Sequence, residues 1–575
     1  MSLPPTKYED FSTISDVIRM AALEYGGKVA LRQLGKGDEY KNVTYAQLLS
    51  RVNKAAQKLS DCGLGSGCHI AIMGNNSPEW VIGSFAVLTI GAVLVPIDVK
   101  STKEEAEFIC QAAHAKALLV DHSVPSEWAK TVRHRFTLGD ENGSSSALEE
   151  EDTEVQTEFG KGSPGDLALL VFTSGTTGTS KGVMLTHNNI LSDLSSIAQR
   201  IPIKENEPVL SILPLSHMFE YTAGMIYPVS CGAPITYLRK LKGSEIIMNM
   251  QLSKTAVMIA VPRILQLLRT SIERQLDKLS WWKKGLINLL SPLTQNSRSI
   301  AKLVYSQLHE RMGGHLHFLV VGGAPIHSEV IEFFHNVGLE VLQGYGLTET
   351  SPVLCANSLS NNRVGTVGPP LAQVEIKIDG PGDVPGEILV RGPMVMKGYF
   401  ENQAATDSVL QKGWFKTGDL GYLDEEGALV ICGRRKALIV TANGKNVYPE
   451  ELEAVLGRSP LIHEICVVAQ RLENGGERPY AFVVPEIEAM EGRDPKELLD
   501  KELRQLGRNL SDFKRLIGWE LHESELPKTC TQKVRRFLLQ ERLDGASELK
   551  ANELSSDGHK RGPTKGVPDN ICSAK

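Results

Sequence analysis

An α/β fold is what this sequence predicts: parallel sheets first, then a small β region, then a compact α+β region. From residue 14 to 342, helical patterns alternate with short apolar runs. From about 364 the texture changes to β patterns punctuated by Gly and Pro, and beyond 434 a shorter mixed pattern follows. Strands alternating with helices indicate parallel sheets covered on both faces. The chain has 575 residues. At roughly 150 residues per domain, that allows three or four domains and a large buried core.

The apolar runs of the first region are His69–Met73, Ala117–Val120, Leu167–Phe172, Val257–Val261 and Leu316–Val321. The uncharged stretch Val81–Ile97 is broken by Gly83, Ser84, Thr89 and Gly91, and it falls short of the ~20 apolar residues of a membrane-spanning helix. It predicts a buried helix followed by a strand. In the β region the runs are Val374–Ile378, Glu387–Val390 and Ala428–Ile431. Farther on, Pro449-Glu450-Glu451 opens a helix, with Pro in the first turn and acids against the helix's positive end. Strands Glu464–Val468 and Tyr480–Val484 follow. The tail 546–575 has no aromatic residue and few aliphatic ones, which predicts disorder.

Composition narrows the function classes. Hydrophobic residues at 42% and charged residues at 23% are ordinary values and exclude wholesale disorder. With 62 basic against 68 acidic side chains the formal net charge is −6, which argues against a dedicated nucleic-acid binder. The start, Met1 to Lys7, holds no apolar core for a signal peptide. Nine cysteines, none in a Cys-x-x-Cys pair, suggest neither a disulfide framework nor a zinc site. The expected compartment is reducing and cytoplasmic. Cys572-Ser573-Ala574-Lys575 imitates a prenylation box, but its second position is not aliphatic and a terminal Lys is unfavourable.

The strongest chemical signal is the run Leu167–Phe172 followed by Thr173-Ser174-Gly175-Thr176-Thr177-Gly178-Thr179-Ser180-Lys181-Gly182. A strand running into three glycines, six hydroxyls and one lysine suits a polyphosphate. Glycines let backbone N–H groups approach, hydroxyls donate further hydrogen bonds, and Lys181 adds charge. It is not a Walker loop, because the Gly-x-x-x-x-Gly-Lys-Ser/Thr spacing is missing. The bland reading, a flexible Ser/Gly linker, fits poorly with a loop anchored on a buried strand.

Further motifs follow in order: Leu213-Pro214-Leu215-Ser216-His217-Met218-Phe219-Glu220, Gly322-Gly323-Ala324-Pro325 and Gln343-Gly344-Tyr345-Gly346-Leu347-Thr348-Glu349-Thr350. Then come Gly413-Trp414-Phe415-Lys416-Thr417-Gly418-Asp419, Gly433-Arg434-Arg435-Lys436 and Pro527-Lys528-Thr529-Cys530-Thr531-Gln532-Lys533. With these motifs the chain resembles the adenylate-forming superfamily of acyl-CoA synthetases over nearly its whole length. The resemblance implies two parallel-sheet αβαβα subdomains and a small β subdomain, then a small mobile α+β domain. Its boundaries would fall at 1–433 for ATP and fatty acid binding, 434–545 for the mobile domain with the catalytic lysine, and 546–575 for the tail.

The resemblance also implies residue roles. Thr173, Ser174, Gly175, Thr176, Thr177, Gly178 and Lys181 would hold the phosphates. Gly323-Ala324-Pro325 and Gly344-Tyr345-Gly346 would enclose the adenine, with the Tyr345 ring stacking on it. Glu349 would bind Mg²⁺, Thr348 would touch phosphate, and Asp419 with Arg434 would bind the ribose. His217 would line the acyl site and position substrate. Lys533 would stabilise the approach of a carboxylate to the α-phosphate, two like charges that a lysine point charge can bridge. Lys436 would be the hinge. Taken singly, each has a plainer reading: Tyr345 a core aromatic, Glu349 a solvated charge, Asp419 a turn former, His217 a satisfied core histidine, and Lys533 part of a solvated basic run. Gln532 stands where the family often has Gly, and Ala437 where it usually has Asp or Glu. Both bear on loop and hinge geometry rather than on the reactive groups.

The His217 segment and the insert from about 263 to 315 look like the long-chain fatty acid branch. Between Arg263 and Lys302, eight basic side chains stand against Glu273 and Asp277, with Trp281-Trp282 and Leu286-Ile287 among them. Such a segment suits peripheral docking at the anionic inner face of a membrane; an amphipathic helix pair packed on the body is the other reading. The expected activity is ATP- and Mg²⁺-dependent conversion of long-chain fatty acids to acyl-CoA through acyl-AMP, with coenzyme A as co-substrate and AMP and pyrophosphate released. Transfer to an acyl carrier protein shares the first half-reaction. A non-catalytic nucleotide- or acyl-binding scaffold is the reading from another class, against which stands the full reactive set Lys181, Glu349, Asp419, Arg434 and Lys533.

Overall fold

The computed structural model describes residues 8–35, 37–139, 148, 162–174, 180–278, 280–380, 385–472, 476–490, 492–508, 510–528 and 534–545. Gly175, Thr176, Thr177, Gly178, Lys533 and the 546–575 tail lie outside the described residues. The described residues divide into two compact units, one up to Arg435 and one from Lys436 onward.

Among the described residues, the first unit is built on two large sheets. The eight-stranded sheet runs in the order Val353–Ala356, Glu340–Gly346, Phe318–Val321, Val257–Ala260, Val209–Ser211, Ile235–Tyr237, Val29–Leu34, Tyr40–Thr44. Its six interior strands are parallel, and the strand at each edge is antiparallel. The seven-stranded sheet runs Gly398–Tyr399, Ser180–Thr186, Leu167–Ser174, Val93–Ile97, His69–Met73, Ala117–Val120, His134–Thr137, antiparallel only at its first two pairings. The apolar runs of the sequence are these parallel strands. A strand buried on both faces has no polar side to show, so it reads as a continuous hydrophobic run.

The helix Pro78–Thr89 explains the long uncharged stretch. Ser77 caps it by accepting the Trp80 N–H at 3.1 Å, and Pro78 fits its first turn. It packs on strands of both sheets, so Trp80, Val81, Phe85 and Val87 are all buried and no polar stripe exists. Burying the large side chains stabilises by about 1.5–3 kcal/mol each. The helix therefore joins the two sheets into one core rather than crossing a membrane. No described helix is long and apolar enough to cross a membrane.

A third, antiparallel sheet holds Glu375–Asp379, Gly386–Arg391, Trp414–Leu423, Leu410–Gln411 and Leu429–Arg434. Arg434 ends the last of these strands, paired in register with Asp419. That pairing keeps it in the first unit, past the expected 433/434 boundary. The second unit carries the helices Pro449–Leu456 and Pro495–Gly507 and the strands Ile462–Arg471, Glu477–Pro485 and Gly518–Leu521, with its own core around Val467, Ala481, Val483 and Leu499. Cys355 and Cys231 are buried in the first unit and Cys466 in the second, all as free thiols.

Among the described residues, the insert forms four helices, Pro262–Asp277, Trp281–Asn296, Arg298–Val304 and Ser306–Arg311. The first packs on the body through buried Leu265 and Ile272. Beyond it large apolar groups face outward: Trp281 is 85% exposed, Leu289 75% and Leu303 76%.

Candidate active site

The hydroxyl- and glycine-rich loop joins Leu167–Ser174 to Ser180–Thr186, two strands in antiparallel register from Leu167↔Thr186 to Ser174↔Ser180. The expected phosphate loop is thus carried on a hairpin, with Thr173 paired to Lys181 across the ladder. The Ser180 hydroxyl donates to the Thr173 carbonyl at 3.0 Å and tightens the base of the hairpin. Next to it lies the edge strand Gly398–Tyr399. The Lys181 ammonium sits 4.9 Å from the centre of the Tyr399 ring, a cation–π distance. The Tyr399 hydroxyl donates to Glu349 Oε1 at 2.9 Å. Burial, and then the Glu349 charge, push the Tyr399 phenol well above its ordinary range. Lys181 and Glu349, far apart in sequence, are joined through one tyrosine.

Glu349 lies in the single turn Thr348–Thr350, which follows the strand Glu340–Gly346. From Gln343 to Glu349 every residue is half-buried, between buried Leu342 and buried Thr350. A strand end left partly open in this way lies at the carboxyl ends of parallel strands, where open α/β sheets bind ligands. Gly346 is dictated by close approach, since a Cβ there would lie 1.7 Å from the Pro352 carbonyl oxygen. Gly323 turns away from the neighbouring strand Phe318–Val321 with φ +80°, a left-handed conformation that favours glycine. Gly323 and Pro325 are exposed and Ala324 half-buried, on the same edge as Gly344, Tyr345 and Gly346.

Tyr345 donates its hydroxyl proton to Asp419 Oδ2 at 2.7 Å. Arg434 Nε reaches the other oxygen, Asp419 Oδ1, at 2.9 Å, and the Asp419 side chain is only 5% exposed. Burial and the neighbouring carboxylate raise the Tyr345 phenol well above its usual value. The three expected nucleoside-binding residues therefore form one connected group. Thr417 supports it by donating to the Ile388 carbonyl at 2.8 Å while accepting the Asp419 N–H at 3.1 Å.

His217 lies in the loop after Val209–Ser211, its N–H bonded to the Pro214 carbonyl at 3.0 Å. Its Nε2 stands 2.9 Å from Asp98 Oδ2. Three residues on, Glu220 is wholly buried in the π-helical turn Phe219–Ile226, its carboxyl packed against Gly224. Burial pushes the Glu220 acid up to about 8, opposed by the Ser211 hydroxyl and the Leu213 N–H. Lys436 opens the second unit within the turn Arg435–Ala437.

In the second unit, Lys528 and Val534 form an antiparallel bridge. Arg536 is held by Glu450 at 3.1 Å, by Glu453 at 3.0 Å and by the Val467 carbonyl at 2.7 Å. Lys528 pairs with Glu464 and, at 2.8 Å, with Glu525.

Sequence reasoning did not single out Asp98 or Tyr399, and it assigned no role to Glu220. Tyr399 follows Gly398 and Asp98 follows Val95-Pro96-Ile97. No spacing marks either as part of a site, because each partner lies more than a hundred or some fifty residues away.

A family model described as AMP-binding enzyme matches residues 18–400, and one for the AMP-binding enzyme C-terminal domain matches 451–533. The long-chain-fatty-acid–CoA ligase of Mycobacterium bovis is 30% identical over 495 residues, covering 78% of this chain and 78% of that protein. A long-chain-fatty-acid–[acyl-carrier-protein] ligase of Arabidopsis thaliana, chloroplastic, is 28% identical and covers 86% of this chain and 80% of its own length. Among solved structures, O-succinylbenzoate coenzyme A synthetase from Bacillus subtilis, in complex with ATP and magnesium ion, superposes with a TM-score of 0.73 at 26% identity. That match covers 90% of this chain and 98% of the other.

Proposed function

The chain belongs to the AMP-binding enzyme family, and we propose that it activates long-chain fatty acids and passes them to coenzyme A. A carboxylate oxygen attacks the α-phosphorus of ATP, an O–P bond forms, and pyrophosphate leaves. The CoA thiol gives up its proton to solvent, its sulfur attacks the acyl carbon, the thioester forms, and AMP leaves with the electron pair of the broken acyl C–O bond.

One observation carries the reading: the Lys181–Tyr399–Glu349 contacts and the Tyr345–Asp419–Arg434 group both involve the single strand end Glu340–Gly346 and the turn after it. The first offers a cation beside the phosphate hairpin. The second offers an aromatic face and a fixed acid–base pair suited to a nucleoside. Glu349, a half-buried carboxylate steadied by Tyr399, is the hard oxygen donor that Mg²⁺ takes, and the ion would neutralise phosphate charge there. Thr348 precedes it in the same turn and would contact phosphate. Lys533 would supply positive charge where the carboxylate meets the α-phosphate, with Lys436 as the pivot that brings its unit into place. His217 would position the acid.

The acid and the acceptor rest on different supports. The Mycobacterium bovis relative and the His217 segment favour a long chain; the Bacillus subtilis protein is named for O-succinylbenzoate. The Arabidopsis relative uses an acyl carrier protein. Outward-facing Trp281, Leu289 and Leu303, in an insert rich in basic residues, suit peripheral contact with an anionic bilayer.

The test is acid-dependent ATP–pyrophosphate exchange over acids from acetate to long unbranched chains, with O-succinylbenzoate included, followed by thioester assays with CoA and with carrier protein. Long chains should stimulate exchange most, and CoA should be the better acceptor. Preference for acetate or an aromatic acid over every long chain overturns the substrate, and carrier protein outperforming CoA overturns the acceptor.

A further inference from the structure

Asp98 and His217 come from different sheets. Asp98 follows the strand Val93–Ile97 of the seven-stranded sheet, and His217 follows Val209–Ser211 of the eight-stranded one. Asp98 Oδ2 and His217 Nε2 meet at 2.9 Å across that junction, with the Asp98 side chain 6% exposed and His217 31% exposed. The carboxylate is fixed by its own turn: Oδ1 accepts the Lys100 N–H at 2.8 Å, and the Asp98 carbonyl accepts the Ser101 N–H at 3.0 Å. That leaves Oδ2 directed at the imidazole. Neither Oδ2 nor Nε2 has an aligned hydrogen bond to any other described residue. The two buried polar atoms stand at ion-pair distance without an aligned hydrogen bond, and contacts in ligand-free sites often tighten only when substrate binds.

We propose that Asp98 is a positioning residue for the acyl substrate, acting through His217. By accepting the Nε2 proton it fixes the plane of the ring, and with it the face of the imidazole that the acid meets. The proposal rests on the reading that His217 lines the acyl site. Because the two residues belong to separate sheets, neither can hold the ring alone: a free imidazole rotates, and a buried carboxylate without its donor must find another partner or shift its turn.

The test uses the full-length protein and pyrophosphate exchange at varied acid and varied ATP. Asp98→Ala should raise KM for the fatty acid by roughly 10- to 100-fold, by analogy with carboxylates that orient metal-bound histidines. KM for ATP should stay within about twofold, because no nucleotide-contacting group has moved. Asp98→Asn, which keeps an acceptor for Nε2–H, should recover most of the loss. His217→Ala should match Asp98→Ala, and the double variant should be no worse than either single one, as for two groups that act as a unit. Equal rises in both KM values, or additive effects in the double variant, would overturn the proposal and assign Asp98 to holding the sheets together. If Asp98→Ala does not fold, Asp98→Asn against His217→Ala carries the comparison. Wild-type protein inert toward every acid would instead overturn the functional reading beneath it.

Discussion

At the scale of single residues, charge and burial decide behaviour. Lys533→Ala should slow acid-dependent pyrophosphate exchange by on the order of 100- to 1000-fold, the loss typical of removing one donor to transition-state charge. Thioester formation from preformed acyl-AMP should fall far less, because no like-charge approach remains. Equal damage to both halves would make Lys533 structural. Glu220 gives a second expectation. Burial pushes its acid up to about 8 from an ordinary 4.5. Across that window the folded protein keeps a proton that the unfolded chain releases, so stability falls as pH rises, by about 1.4 kcal/mol per pH unit. Glu220→Gln has no proton to lose, and its melting temperature should decline less between pH 5 and 8. Parallel melting curves for the two proteins would show that Glu220 is not held neutral. These residues also mark what a linear reading can see. His217 was visible as a histidine among apolar neighbours, but its acid was not, since the sheets that bring Asp98 to it are distant in sequence. Tyr345, Asp419 and Arg434 were each visible through their motifs. Their union, with both Asp419 oxygens engaged, is a fact of strand register.

Elements were more legible than contacts. Parallel strands buried on both faces are apolar throughout, so His69–Met73 and Ala117–Val120 begin and end where the hydrophobic runs do. The glycine- and hydroxyl-rich loop was clear from composition, whereas the antiparallel return through Ser180–Thr186 was not, because Lys181 and Gly182 interrupt any simple strand pattern. The second unit shows an element stabilised by charge: Arg536 ties the segment after Lys533 to the helix Pro449–Leu456 through Glu450 and Glu453. Arg536→Ala would leave two carboxylates facing each other with little solvent, and we expect a loss of about 2–4 kcal/mol in this unit's unfolding transition, read by calorimetry on the full chain. Arg536→Lys should recover only part, since an ammonium cannot span both acids and the Val467 carbonyl as a guanidinium does. Full stability of Arg536→Ala would show that the cluster is too well solvated to matter.

At the scale of the whole molecule, two units and one outward-facing helix set the expectations. Lys436→Pro removes a backbone donor and restricts φ where the second unit begins, so it should uncouple the half-reactions. Acyl-AMP should still form while transfer to thiol stalls, followed separately in a single turnover. Wild-type rates for both steps would show that Lys436 is no pivot. On the helix Trp281–Asn296, replacing Lys283 and Lys284 by Glu should weaken binding to anionic vesicles at low salt. The difference should vanish at high salt, where the Debye length falls to about 3 Å. Unchanged low-salt binding would mean that the apolar face serves packing instead.

The buried thiols have a practical consequence. Cys355 is sealed in the first unit and Cys466 in the second, neither tied in a disulfide. A buried thiol reacts only when its surroundings open, so each one dates the local opening of its own unit. Labelling followed by mass spectrometry therefore reads two clocks in one tube. A nucleotide or acyl ligand that slows one clock and leaves the other running reveals which unit it has braced, without any assay of turnover.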